Sequence, residues 1–389
     1  MMRNWLLPEY IEDILPPEAR RIERLRRVIL DLFHVHGYQL VIPPLIEYVE
    51  SLLTGTGRDM DLKTFKLVDQ LSGRMMGLRA DITPQVARID AHLLNCQGIT
   101  RLCYCGSVAH TLPAASARTR QPLQIGAELY GHAGSESDSE IQRLMLQALK
   151  LAGIAEVHLD VGHVAVFRSI AKRGEVPSEL EAELFGVLQS KDMPALRELT
   201  RGLEQRVRQA LLLLPELYGG DEVLQRAAKH LPDYPEISAA LADLRTLAKE
   251  LRDKVASLCF DLAELRGYRY HSGVVFGAYV KASANAVALG GRYDEVGKTF
   301  GRARPATGFS MDLREVSALL PADGATTAIL APYAQDAALQ EKIARLREQG
   351  EIVIVDLPGH ENLRRELNCD RTLVLRNEVW EVSSLKRPD

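Results

Sequence analysis

No run of apolar residues in this 389-residue chain is long enough to cross a bilayer. The stretch LLLLPELYGG is too short and is broken by Pro215. The opening residues reach Pro8 and acidic side chains quickly, so neither a secretory leader nor a membrane anchor is expected, and a cytoplasmic location is. Cysteine is scarce. Cys96, Cys103, Cys105, Cys259 and Cys369 make an odd set of five, which is no disulfide framework in a chain of this size. Cys103 and Cys105 have no second pair at zinc spacing, so no metal is expected. Neither sign of charge dominates: 48 Lys and Arg against 52 Asp and Glu give a net −4, which disfavours a general nucleic-acid binder. Motifs of nucleotide chemistry are missing too. There is no P-loop and no H-E-x-x-H. Gly55-Thr56-Gly57 lacks both the G-x-G-x-x-G spacing and the preceding strand, so it reads as a loop.

What remains is a chain with 46% apolar and 26% charged residues, ordinary for a globular protein and long enough for two or three folding units. Pro16-Pro17 open an amphipathic helix on which Ile22, Leu25, Ile29, Leu32 and Phe33 recur at three and four residues, with Gly37 as its stop. YQLVIPPLIEY is a short extended segment bent at Pro43-Pro44. FKLVD and MMGLRAD read as strands joined by a turn at Ser72-Gly73, and residues 84–95 as a helix opening at Pro84. Strands are expected at 101–105 and 121–131, then a helix over ESDSEIQRLMLQALKLAG capped near its Ser/Asp start. Residues 175–255 are rich in Leu, Glu, Ala and Arg and read as a helical insert without strands. Strands return at VVFGAYV and NAVALGG. Beyond about 320, TTAILAP, a helix over 335–349, EIVIVD, a short helix and TLVLR alternate in an α/β pattern. The expected organisation is a core over 1–320, interrupted by the insert at 175–255, and a small α/β unit over 321–389.

Several segments, in order, resemble histidyl-tRNA synthetase. GYQLVIPPLIE at 37–47 is similar to motif 1 of class II aminoacyl-tRNA synthetases, which in that family lies at the dimer interface. LRADITPQVAR at 78–88 resembles the stretch lining the histidine pocket, with Asp81 at the acidic position for the substrate amino group and Thr83 kept. On the residues alone, Asp81 serves equally well as a cap for the helix beginning near Pro84. Motif 2 ends well in RQPLQIGAELYG, where Gln124 and Glu128 fall on one strand face. Its beginning departs: His110 and Leu112 stand where the family has the arginine and glutamate that hold ATP. Leucine accepts no hydrogen bond, and neutral histidine is a poor substitute for a guanidinium. Arg118 and Arg120 remain nearby as an anion-attracting loop. LRGYRYHSGVVF at 265–276 resembles the histidyl signature, with Arg266 assigned to the ligand carboxylate and Tyr270 and His271 beside it. Arg269 reverses an acidic position there. GGRYDEV matches the next block. In RPATGFSMDLREV, similar to motif 3, Gly308-Phe309 is intact but Glu315 replaces the ATP-binding arginine, with Arg314 one residue early.

The resemblance implies an α+β fold: a class II synthetase-like antiparallel sheet flanked by helices, with a helical insert and a small C-terminal α/β unit. It also implies a histidine-binding set of Asp81, Thr83, Gln124, Glu128, Arg266, Tyr270 and His271, beside a degenerate ATP site at His110, Leu112 and Glu315. Retained amino-acid positions beside lost ATP clamps fit the regulatory subunit of ATP phosphoribosyltransferase (the HisZ family), a non-catalytic paralog of the synthetase. That resemblance implies a short-form ATP phosphoribosyltransferase catalytic subunit as partner, a homodimer through the core, a hetero-octamer and L-histidine as feedback ligand. No cofactor, membrane or tRNA is expected. A divergent histidyl-tRNA synthetase and another synthetase-derived amino-acid sensor are the alternatives.

Overall fold

A computed structural model describes residues 6–54, 58–113, 119–268, 270–321, 327–359 and 366–385. Gly55-Thr56-Gly57, Arg118 and Arg269 lie outside the described residues, as does most of the short helix expected before TLVLR. The chain divides into two units, Met1–Leu320 and Pro321–Asp389.

The first unit is built on a nine-stranded sheet. In spatial order its strands are Gln39–Leu40, Thr100–Ser107, Leu123–Tyr130, Ala306–Asp312, Ala288–Arg292, Val274–Tyr279, His158–His163, Ser257–Asp261 and Tyr218–Gly219. The pairing is antiparallel except where Gln39–Leu40 meets Thr100–Ser107 and where His158–His163 meets Ser257–Asp261. This is the α+β, synthetase-like arrangement that the motifs imply. One face carries the main core. Helix Pro16–Val35 lays Ile22, Leu25, Ile29 and Phe33 against it, and Leu32 is only partly buried. Each fully buried side chain of this size contributes roughly 1.5–3 kcal/mol. Gly37, at φ +83°, ends the turn after this helix in a conformation that costs glycine little. Cys103 and Cys105, two apart on one strand, pack against this same core.

Helix Ser135–Leu151 packs beside it, but the expected side-chain cap is absent. Gly134 holds the N-cap position, and Ser137 Oγ donates to the carbonyls of His132 and Gly134 rather than accepting an amide. The helix expected at 84–95 is two pieces: an α-helix over Thr83–Arg88 and a π-helical turn over Ile89–Leu94, ended by Asn95 at φ +44°. The bend at Pro43-Pro44 is held by Arg79 Nη1, which donates to Pro43 O at 2.7 Å, and by Gln85 Nε2, which donates to Pro44 O at 2.8 Å. Strands Ile46–Tyr48, Met75–Leu78 and Phe65–Val68 form a small antiparallel sheet next to it.

The leucine-rich segment forms helices Ser178–Gln189, Met193–Leu199, Gln205–Leu213, Glu222–His230 and Pro235–Leu251. It also supplies the sheet's edge strand Tyr218–Gly219, against the expectation of no strand. Two residues are too few to show a period of two. Nor does the segment stand apart: Leu184, Leu188, Leu211, Leu241 and Leu244 belong to the same buried cluster as the sheet.

In the second unit the sheet order is Val353–Asp356, Ala328–Pro332, Cys369–Arg376 and Val379–Ser384. Helix Ala337–Glu348 is capped by Asp336, which accepts from the amides of Ala338 at 2.8 Å and Leu339 at 3.3 Å. The last strand is additional to the expected pattern. It follows a two-residue hairpin in which Asn377 and Glu378 both have positive φ, 45° and 61°. No helix among the described residues is long and apolar enough to cross a membrane.

Candidate functional site

The helices cover one face of the large sheet, and the other face floors a cleft of about 750 Å³. Because partners across antiparallel strands share a face, the register defines its floor. One row runs Tyr104, Gly126, Ser310, Leu289, Gly277, Asp160. The next runs Leu102, Glu128, Gly308, Gly291, Val275, Gly162. Glycine at Gly126, Gly162, Gly277, Gly291 and Gly308 clears side chains from the middle of the sheet. At Gly308 the clearance is essential, since a Cβ there would stand 1.5 Å from Glu128 Oε2.

Glu128 is the buried centre, 1% exposed. Tyr104 Oη donates to its Oε1 at 3.1 Å, and Tyr293 Oη donates to Oε2. Thr83 Oγ1 lies 3.0 Å from the same Tyr104 hydroxyl. Burial pushes the Glu128 carboxyl up to about 8, against the two phenol bonds that favour its charged form. It is therefore mostly a neutral acid at pH 7, able to donate as well as accept. Tyr270 packs against Tyr293 with the rings tilted and their centroids 5.0 Å apart, and its buried hydroxyl has no hydrogen-bond partner among the described residues. Such a group is a ready contact for a polar ligand.

Asp81 and Gln124 form a linked pair at the rim. Gln124 Nε2 donates to Asp81 Oδ1 at 2.8 Å, and Gln124 Oε1 accepts from the Ile82 amide at 3.0 Å. Asp81 Oδ1 also accepts from the Thr83 amide at 3.1 Å, so part of the helix-start role open to Asp81 is realised. Both bonds fall on one oxygen. His271 lies across the cleft with Nδ1 3.2 Å from the carbonyl of Arg292. A carbonyl only accepts, so Nδ1 carries the hydrogen and Nε2 is the acceptor. Burial pulls the His271 imidazole down to about 4, which keeps it neutral.

Six of the seven anticipated residues (Asp81, Thr83, Glu128, Arg266, Tyr270 and His271) line this one cleft, and Gln124 reaches it through Asp81. Arg266, assigned to a ligand carboxylate, already has partners in the protein. Its Nε and Nη2 are engaged by Glu264, with Nη2 to Oε2 at 2.6 Å, and Nη2 also donates to the Tyr279 hydroxyl. Only part of its guanidinium is left for a ligand carboxylate. Tyr104 and Tyr293 carry no motif signal as ligands of Glu128, although the strand alternation from Leu102 to Tyr104 puts Tyr104 on the same face.

The positions expected to hold ATP are not brought to this cleft. Among the described residues, neither His110, Leu112, Glu315 nor Arg314 lines the cleft. His110 Nε2 donates to Ala80 O at 2.9 Å, and burial lowers its pKa, so the ring supplies no standing positive charge. Leu112 is 73% exposed. Arg314 is buried and committed to Glu12 at 2.6 Å and to Thr119 Oγ1 at 3.2 Å. Asp312 caps the helix Leu313–Ala318 through the Arg314 amide, and burial pushes its carboxyl up to about 6. Arg120 serves the loop itself: its Nε donates to His110 O at 3.1 Å and its guanidinium lies over the Phe65 ring. The cleft's ionisable lining is Asp81, Glu128, Asp160 and Glu264 against Lys63 and Arg266. No cluster of metal-ligand type occurs among the described residues.

Residues 10–316 match the histidyl-tRNA synthetase family, and residues 326–383 match the ATP phosphoribosyltransferase subunit HisZ C-terminal domain. The ATP phosphoribosyltransferase regulatory subunit of Nitrosospira multiformis is 62% identical over 98% of both chains, and that of Ralstonia nicotianae 60% identical over 99% of both. The chain belongs to the family of ATP phosphoribosyltransferase regulatory subunits. Membership in this family makes it a regulatory rather than a catalytic subunit. The crystal structure of an ATP phosphoribosyltransferase regulatory subunit/histidyl-tRNA synthetase from Bacillus halodurans C superposes with a TM-score of 0.82 at 26% identity, covering 93% of this chain and 96% of that one. The histidyl-tRNA synthetase of Nostoc sp. PCC 7120 shares the fold, with a TM-score of 0.77 at 18% identity, covering 96% of this chain and 91% of that one.

Proposed function

We propose that this regulatory subunit senses L-histidine in the glycine-floored cleft and, as a homodimer, sets the activity of a short-form ATP phosphoribosyltransferase catalytic subunit. The reaction is the first step of histidine biosynthesis, in which ATP and phosphoribosyl diphosphate give phosphoribosyl-ATP and diphosphate. The observation that carries the reading is the asymmetry of the site. The amino-acid groups converge on the cleft, while the three positions that would clamp ATP stand outside it. In this reading the ammonium lies at Asp81, the imidazole against Glu128 and Tyr270, and the carboxylate on the open part of Arg266. Exposed Leu40, Ile42, Leu45 and Ile46 beside the short edge strand Gln39–Leu40 favour self-association there, since an apolar sheet edge needs a cover. A hetero-octamer of four chains of each kind, in the cytoplasm and without tRNA, completes the reading.

The test is phosphoribosyltransferase activity of the separately purified short catalytic subunit, with and without this chain. Strong activation, a larger co-eluting complex and inhibition of the mixture by histidine are expected. With both proteins folded, absence of activation and of a complex would refute the reading. Histidine-dependent ATP–diphosphate exchange separates it from a divergent synthetase, and none is expected, because among the described residues His110, Leu112 and Glu315 supply no preorganised cation at the old phosphate positions.

A further inference from the structure

We infer that the first helix of the leucine-rich insert, Ser178–Gln189, is a working wall of the cleft, and that Tyr268 couples occupancy of the cleft to the ordering of this helix. The inference rests on the reading of the cleft as a histidine site and extends it to a segment outside the matched motifs.

The segment Leu265–His271 presents Arg266, Tyr270 and His271 to the cleft. It turns tightly: the amides of Tyr270 and His271 both donate to Gly267 O at 2.7 Å, with Gly267 at φ +63°. Behind the turn, Arg168 Nη2 donates to the carbonyls of Tyr268 at 3.0 Å and His271 at 2.9 Å. Tyr268 ties this turn to the insert. Its ring packs between Phe167, at 5.2 Å, and Phe185, stacked at 5.7 Å and 28°. Its hydroxyl donates to Glu181.

Glu181 and Phe185 are four residues apart, so they share one face of the helix Ser178–Gln189. Leu184 and Leu188, fully buried, fasten that helix to the main core. Phe185 and Tyr268 also line the cleft themselves. A ligand that settles on Arg266, Tyr270 and His271 must therefore fix the turn that Glu181 and Phe185 grip. Linkage makes the effect reciprocal: if histidine orders the helix, loosening the helix weakens histidine by the same factor. The device gives the insert a way to report the ligand at a surface remote from the cleft floor.

The experiment is amide hydrogen exchange across residues 178–189 of the full chain, with and without saturating L-histidine. Calorimetry runs in parallel on the wild type, Tyr268→Phe and Glu181→Gln. Slower exchange over 178–189 in the presence of histidine is expected. Tyr268→Phe, which keeps the ring and removes the hydroxyl, is expected to weaken histidine about fivefold, the lower end of ordinary coupling. Glu181→Gln, which keeps an acceptor oxygen, is expected to stay within about twofold of wild type. Unchanged exchange over 178–189 while calorimetry reports a filled site overturns the inference and leaves the cleft reading standing. No heat of histidine binding to the wild type overturns the cleft reading and this inference with it. The exchange measurement on the unmodified chain decides regardless of how the variants fold.

Discussion

If histidine binds in the cleft as proposed, Glu128 makes that binding a proton-linked event with a sign that can be worked out in advance. When the imidazole lies against this carboxyl, the complex holds one proton between the two groups. Before binding, Glu128 keeps its proton up to about pH 8 because it is buried. The free imidazole titrates near about 6.5. At pH 6 the separated partners thus carry roughly 1.75 protons, about 1 on Glu128 and about 0.75 on the ligand, so binding releases about 0.75. At pH 8 they carry only about 0.5, so binding takes up about 0.5, and the sign changes near about pH 7.2. A carboxyl at its ordinary value of about 4.3 gives uptake at both, about 0.2 at pH 6 and about 1 at pH 8. Titration calorimetry in buffers of different ionisation enthalpy reads the number of protons directly. Glu128→Gln is the control, since the uptake at pH 8 belongs to Glu128 and is expected to vanish in it. Proton uptake by the wild type at pH 6 would refute the raised Glu128. No proton exchange at either pH would refute the pairing of imidazole with this carboxyl.

The same group shapes stability. A carboxyl raised in the folded state contributes fully below its unfolded value and loses that contribution as pH rises through the folded one. The wild type is therefore expected to lose roughly 3 kcal/mol relative to Glu128→Gln between pH 5 and pH 8, as an order of magnitude. Parallel urea-stability curves for the two proteins would contradict this. Gly308→Ala places a methyl group on the Glu128 carboxyl and breaks its bonds to Tyr104 and Tyr293. A loss of about 1–3 kcal/mol in urea unfolding and at least about tenfold in histidine affinity is expected; wild-type affinity would show that the carboxyl position does not matter. Arg292 and Asp138 form a buried pair on the opposite face, with side chains 8% and 3% exposed. Arg292→Met strands the carboxylate and is expected to cost about 3–5 kcal/mol, while the double variant with Asp138→Leu recovers much of it. Additive losses in urea denaturation would count against that account.

Much of the candidate site is legible before any coordinates because strand periodicity is local information. Gln124 and Glu128 alternate correctly on Leu123–Tyr130, and helix Pro16–Val35 shows its buried stripe in the spacing of Ile22, Leu25, Ile29 and Phe33. The partners of those residues are non-local. Tyr104 and Tyr293 meet Glu128 only because the register sets Leu102 opposite Glu128 and brings Tyr293 in behind Arg292. A tyrosine on a strand reads as core until the pairing is known. The insert hides its role for the same reason: its leucines announce burial but not against what, and here it is the sheet's own core. Elsewhere local rules mislead. The Asn377-Glu378 hairpin lacks the glycine that usually marks such a turn, and Ser135 through Ser139 offer cap-like residues where Gly134 sits at the cap.

The way the ATP half is lost says more than the loss itself. Deleting two arginines would only weaken phosphate binding, but here the residues at and beside those positions have other work. His110 is a neutral donor to Ala80, Arg314 is buried against Glu12, and Asp312 caps a helix. Arg314 is held away from the cleft by its contacts with Glu12, Thr119 and Gln121, so it is not placed to meet a phosphate there. Besides the neutral Glu128, the lining has three carboxylates, Asp81, Asp160 and Glu264, to two cations, with Arg266 already shared with Glu264. Such a cleft repels a triphosphate while it still offers a carboxylate to an ammonium. On the proposed reading, a pocket that holds an amino acid without the means to activate it binds that ligand only reversibly. Reversible binding is what a concentration sensor requires, since only an unreacted ligand can shift an equilibrium in proportion to its supply.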